Sequence, residues 1–151
     1  MSLPARIDED IIKALKSGDK LKVTALRGLK SDIKYKRIEK GDDLTDDDII
    51  GVLDSAAKRR RDSIEQFQAG NRADLVEKET AELAIITSYL PQQLTEEELR
   101  ELILDSIKET GVDSPAKAGL VMKDLIPKIK GKANGRLVNN LVSQILSGGK
   151  S

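Results

Sequence analysis

The sequence predicts an all-α fold, with four helices in an N-terminal part and three in a C-terminal part. Three observations carry that prediction. Apolar residues recur at helical spacing through most of the chain, and no stretch alternates apolar with polar residues as a strand would. Charged residues make up 34% of the chain and aromatics 2%, a balance that suits amphipathic helices better than a sheet core. Ser, Thr, Asp and Asn precede the periodic runs and Gly follows them, where helix caps belong.

Taken in order, Ile7, Ile11, Ile12 and Leu15 predict a short helix that stops at Ser17-Gly18. Asp19 caps the next, whose stripe of Val23, Leu26, Leu29 and Ile33 runs to about Glu39 before Gly41 closes it. Residues 19–40 hold eight basic and three acidic side chains, a local net of +5, and five aspartates follow directly. Thr45 and Asp48 form a capping box at the start of a third helix, which reaches about Ala69 with Leu53, Ala57, Ile64 and Phe67 inward. Arg60 falls on that same stripe, which predicts either snorkelling or pairing with a carboxylate. The run Lys58-Arg59-Arg60-Arg61 wraps most of one helical turn and so presents no single flat patch. After Gly70-Asn71, Val76, Leu83, Ile86 and Leu90 mark a fourth helix that ends before Pro91.

Residues 91–94 read as a linker between a domain of residues 1–90 and one of residues 95–151. Thr95 with Glu98 is a second capping box, and Leu99, Leu102, Ile103 and Ile107 form the inner stripe up to Gly111. Ser114 caps a helix whose first residue is Pro115, with Val121, Met122, Leu125, Ile126 and Ile129 inward and Pro127 bending its last turn. The final helix carries Leu137, Val138, Leu141, Val142 and Ile145, then frays through Ser147-Gly148-Gly149-Lys150.

Composition excludes several chemistries. The chain has no Cys and no His, which removes disulfides, thiolate nucleophiles, the usual neutral-pH acid–base group and the commonest metal ligand. No nucleophile stands beside a recognisable base, and the glycines form no nucleotide loop, so no catalytic residue, cofactor or metal is expected. No run approaches the ~18 apolar residues of a membrane span, and none resembles a secretory signal, so the expected place is the cytoplasm.

Charge points to one place. The chain balances 26 basic against 26 acidic residues, yet residues 95–113 carry a net of −5 and residues 116–151 a net of +6. The basic part centres on Pro127-Lys-Ile-Lys-Gly-Lys-Ala-Asn-Gly-Arg136. Lys128 and Lys130 suit a helix C-terminus, Gly131 a left-handed cap and Asn134 the N-cap of the next helix. Gly135 leaves room for another backbone. Cations around a helix N-terminus make a seat for phosphate; the plainer reading is a solvated turn with ordinary caps.

The stretches Tyr89-Leu-Pro-Gln-Gln-Leu-Thr-Glu-Glu-Glu-Leu99 and Pro127 to Val142 resemble the domain junction and closing signature of the GatB/YqeY family. The length is similar to the short stand-alone YqeY form. That family often carries Asp at the position of Asn134 and a Lys near Leu120. The resemblance implies the role of the C-terminal tail of the GatB component of glutamine-dependent aminoacyl-tRNA amidotransferases. It implies recognition of tRNA, or of a synthetase or amidotransferase complex that carries it, without the carbon–nitrogen ligase chemistry. Lys123, Lys128, Lys130, Lys132 and Arg136 would contact phosphates, while Asn134 and Gly135 shape the turn. Isolated Tyr35, Phe67 and Tyr89 offer no stacking platform, so RNA would be read by shape and backbone. A protein–protein adaptor and an accessory component of an amidotransferase are the competing expectations.

Overall fold

The computed structural model describes residues 2–148. The expected fraying at Gly149 and Lys150 lies outside them. Among the described residues the chain is helical throughout: α1 (Leu3–Ser17), α2 (Lys20–Lys40), α3 (Asp46–Ala69), α4 (Ala73–Thr87), α5 (Glu96–Thr110), α6 (Ala118–Ile129) and α7 (Gly135–Leu146), with a 3₁₀ turn at Pro115–Lys117. Contacts divide it into two compact units, Met1–Leu90 and Pro91–Ser151.

Local chemistry explains most helix boundaries. Gly18, Gly41 and Gly111 end α1, α2 and α5 with φ of 77°, 75° and 70°, a left-handed geometry that costs a side-chain-bearing residue strain. Both expected capping boxes form. Thr45 Oγ1 accepts from the Asp48 amide at 3.1 Å while Asp48 accepts from the Thr45 amide at 2.9 Å. Thr95 and Glu98 repeat this at 3.1 and 3.0 Å. Ser114 differs from expectation. It precedes the 3₁₀ turn without a side-chain cap, and α6 begins only at Ala118. α4 stops at Thr87, before Pro91 as expected, and the chain turns through Ser88 and Tyr89.

Asp48 also receives Lys40 Nζ at 2.6 Å. That hydrogen bond, followed by the Thr45 amide, holds its carboxyl down at about 2. A folded-state value below the unfolded one of about 4 stabilises the fold above pH 4 and is lost as pH falls through the folded value. Acid titration followed by circular dichroism should therefore show unit stability falling between about pH 4 and pH 2, with Asp48→Asn flattening that part of the curve. An unaltered curve in Asp48→Asn would remove this carboxylate from the acid transition.

In the first unit Ile7, Leu26, Leu29, Leu53, Ala57 and Ile86 form the core. Tyr89 closes it: its ring is buried, Arg6 lies 5.2 Å above the ring centroid, and its hydroxyl donates to Asp10. Burial and the Asp10 carboxylate both push the Tyr89 phenol upward. Arg60 turns inward and takes the pairing option. Its Nε lies 2.9 Å from buried Glu82 and 3.6 Å from Glu79, both on α4. In the second unit Leu99, Ile103, Val121, Leu125, Val138 and Val142 pack α5, α6 and α7 together. Ile126 was expected in that core but is exposed, as is Leu137 of α7. They lie at the margin of their helices' apolar arcs, and a small unit covers only the centre of each arc.

Candidate functional site

The site is the α6–α7 turn of the second unit. Lys130 is the C-cap residue of α6 and leaves helical geometry with ψ of 121°. Gly131 follows at φ 73°, and the Lys132 amide returns to the Ile129 carbonyl at 2.8 Å. Ala133 then plugs into the core. Asn134 caps α7 as expected, its Oδ1 accepting from the Arg136 amide at 3.1 Å. The turn is therefore anchored by one buried apolar residue, one left-handed glycine and one side-chain cap.

Two residues hold it from below, and their role was not legible in the sequence. The Leu94 amide donates to the Lys132 carbonyl at 2.8 Å. Gln93 Nε2 donates to the Gly131 carbonyl at 2.7 Å and to the Pro91 carbonyl at 2.9 Å. Two carbonyl partners require the amide nitrogen, so the orientation of this side chain is chemically determined. Residues 91–94 belong with the second unit and act as a strap across its basic turn. The sequence signal was no more than a donor-bearing side chain two residues after a proline.

The candidate cations do not behave alike. Lys123, Lys130 and Lys132 are exposed and make no ion pair among the described residues. Lys128 is committed internally. Its Nζ donates to Asp124 at 3.2 Å and lies 3.5 Å from Glu109, which ties α6 to α5. The same Asp124 oxygen accepts from fully buried Ser106 at 2.6 Å. The Ser106 hydroxyl and then Lys128 pull the Asp124 carboxyl down, and Asp124 in turn raises the Lys128 ammonium. Arg136 stands exposed in the first turn of α7. Gly135 has open space where a Cβ would sit, with nothing within 4 Å among the described residues.

Lys123, Lys130 and Lys132 thus form an outward rim of cations along α6 and its turn, with the turn's carbonyls engaged on the strap side. Such a rim can hold anions spaced along a backbone. Among the described residues no group of acidic side chains is arranged to hold a metal ion, and no helix is long and apolar enough to cross a membrane.

The Yqey-like protein family model matches residues 4–146. Among curated proteins, the chain is 36% identical over 132 residues to "Altered inheritance of mitochondria protein 41, mitochondrial" of Lachancea thermotolerans, covering 85% of this chain and 69% of the relative. The proteins of that name from Kluyveromyces lactis and Vanderwaltozyma polyspora are 38% identical over 86 residues and 33% identical over 132. Those matches cover 56% and 82% of this chain, and 46% and 66% of the respective relatives. The relatives are named as mitochondrial, which overturns the cytoplasmic expectation. That expectation rested on the lack of a secretory pattern, which is no guide to other compartments because organelle transit segments are amphipathic rather than apolar.

Proposed function

Because this chain belongs to the Yqey-like protein family, we propose that it recognises tRNA, or a complex that carries tRNA, through the Lys130–Arg136 turn. We further propose that its two units are separate domains of four and three helices, and that the second unit carries this role. The observation behind the reading is the division of labour within the turn. Lys128 is held by Asp124 and Glu109, whereas Lys123, Lys130 and Lys132 point outward with no internal partner among the described residues. Cations left unpaired on a rigid turn meet a phosphate backbone with little ordering cost. In this reading Lys130, Lys132 and Arg136 contact phosphates, and Lys123 extends the same rim along α6. Lys128 chiefly braces the turn. Any link to amidotransferase chemistry is accessory: the chain delivers or retains tRNA and forms no amide bond itself.

Titration of the purified chain with total tRNA and with a DNA duplex of similar length, at low and moderate salt, tests this. Preference for tRNA is expected. Replacing Lys130 and Lys132 with Ala should reduce the slope of log affinity against log salt by about 2, with Lys128→Ala alone doing less. Equal weak binding of both nucleic acids, lost at moderate salt, overturns the reading.

A further inference from the structure

The first unit carries a second basic surface with a different character. On α2, Lys20, Arg27 and Lys34 are exposed and stand seven residues apart. Seven residues are two helical turns, so these cations fall nearly in line, about 10.5 Å apart along the axis. Among the described residues none of the three has an ion-pair partner. Their neighbours are engaged: Lys30 with Asp8 at 2.7 Å, Arg37 with Asp43 at 3.0 Å and Lys40 with Asp48 at 2.6 Å. The fold therefore pairs these neighbours and leaves the Lys20, Arg27 and Lys34 row without a carboxylate partner among the described residues. Tyr35 and Ile38 continue that face toward the end of the helix, 77% and 69% exposed. An exposed aromatic is notable in a chain with two Tyr, one Phe and no Trp.

We infer that the outward face of α2 docks an acidic amphipathic helix of a partner protein. The partner would carry carboxylates at seven-residue spacing, with an apolar residue to cover Tyr35 and Ile38. Charge complementarity selects the sign. The spacing selects a helix, because a helix laid alongside α2 repeats its own side chains at the same interval. The apolar end selects protein over nucleic acid, since a phosphate backbone offers Ile38 no apolar surface. The inference does not rest on the RNA reading.

The test uses the full chain and a labelled synthetic helical peptide with Glu at every seventh position and Leu beside the last of them. Fluorescence anisotropy should show binding that weakens on the order of 10-fold in Arg27→Glu/Lys34→Glu, and several-fold in Tyr35→Ser/Ile38→Ser. The second loss should persist at moderate salt, whereas the first shrinks. Lys130→Ala/Lys132→Ala should leave peptide affinity unchanged, which separates this surface from the turn. All these positions are exposed, and circular dichroism would verify that each variant folds. Equal affinity for a peptide of the same composition with its carboxylates spread around the helix overturns the inference. So does a face that binds tRNA through Arg27 and Lys34 but ignores the peptide. Self-association of the chain through these residues, read by sedimentation, would put a second copy in the partner's place and likewise overturn it.

Discussion

Arg60→Ala is expected to destabilise the first unit by about 3–5 kcal/mol, the usual cost of leaving buried carboxylates without their cation. For a unit of this size that corresponds to a fall in Tm of roughly 15 °C or more. The reason is an imbalance within the cluster. One guanidinium, 29% exposed, serves Glu82 and Glu79, whose side chains are 7% and 15% exposed. Neither Arg60 Nε nor Glu79 Oε2 makes an aligned hydrogen bond, so the cluster is held by charge proximity more than by directed bonds. Removing the arginine leaves two carboxylates beside each other at the α3–α4 interface. Removing the charges together is different: Arg60→Met with Glu79→Gln and Glu82→Leu should stay within about 1 kcal/mol of the parent, because an apolar replacement needs no desolvated ion. Urea denaturation of the variants checks both statements. A loss below about 1 kcal/mol in Arg60→Ala would mean that water reaches the cluster well enough to screen it.

Gln93→Ala and Gln93→Glu are expected to loosen the basic turn and to lower tRNA affinity by about 5- to 10-fold, roughly the net worth of one or two hydrogen bonds. Glutamate has the same shape but no N–H to donate, and its charge would face the Gly131 and Pro91 carbonyls. Gln93→Arg keeps a donor at that position and should retain most of the turn's rigidity. Hydrogen exchange separates the local effect from binding. The Leu94 amide, which donates to Lys132, should lose protection in the Ala and Glu variants and retain it in the Arg variant. Unchanged protection in Gln93→Glu would show that the Leu94 bond alone holds the strap. Loosening without any change in tRNA affinity would show that the turn's shape is irrelevant to binding.

Much of this molecule was legible from local spacing. The capping boxes at Thr45 and Thr95, the glycine stops at 18, 41 and 111, and the Asn134 cap follow from neighbours three or four residues apart. Physical chemistry at that range is carried by the sequence directly. The inward turn of Arg60 was legible as one of two options, and its partners on α4 were not. Ile126 misled because periodicity marks an apolar arc without saying how much of it a small unit covers.

The site divides in the same way. The sequence by itself determined that an α6–α7 turn exists, that it is rich in cations and that Gly131 and Asn134 shape it. Those are properties of adjacent residues and their backbone preferences. Only the tertiary structure decided which cations are spent and which remain. Lys128 is held by Glu109 from another helix, and Gln93 reaches the Gly131 carbonyl across 38 positions of chain. Pairings of that kind depend on how helices pack. A charge count in sequence cannot distinguish an ammonium held against a neighbouring carboxylate from one left facing water.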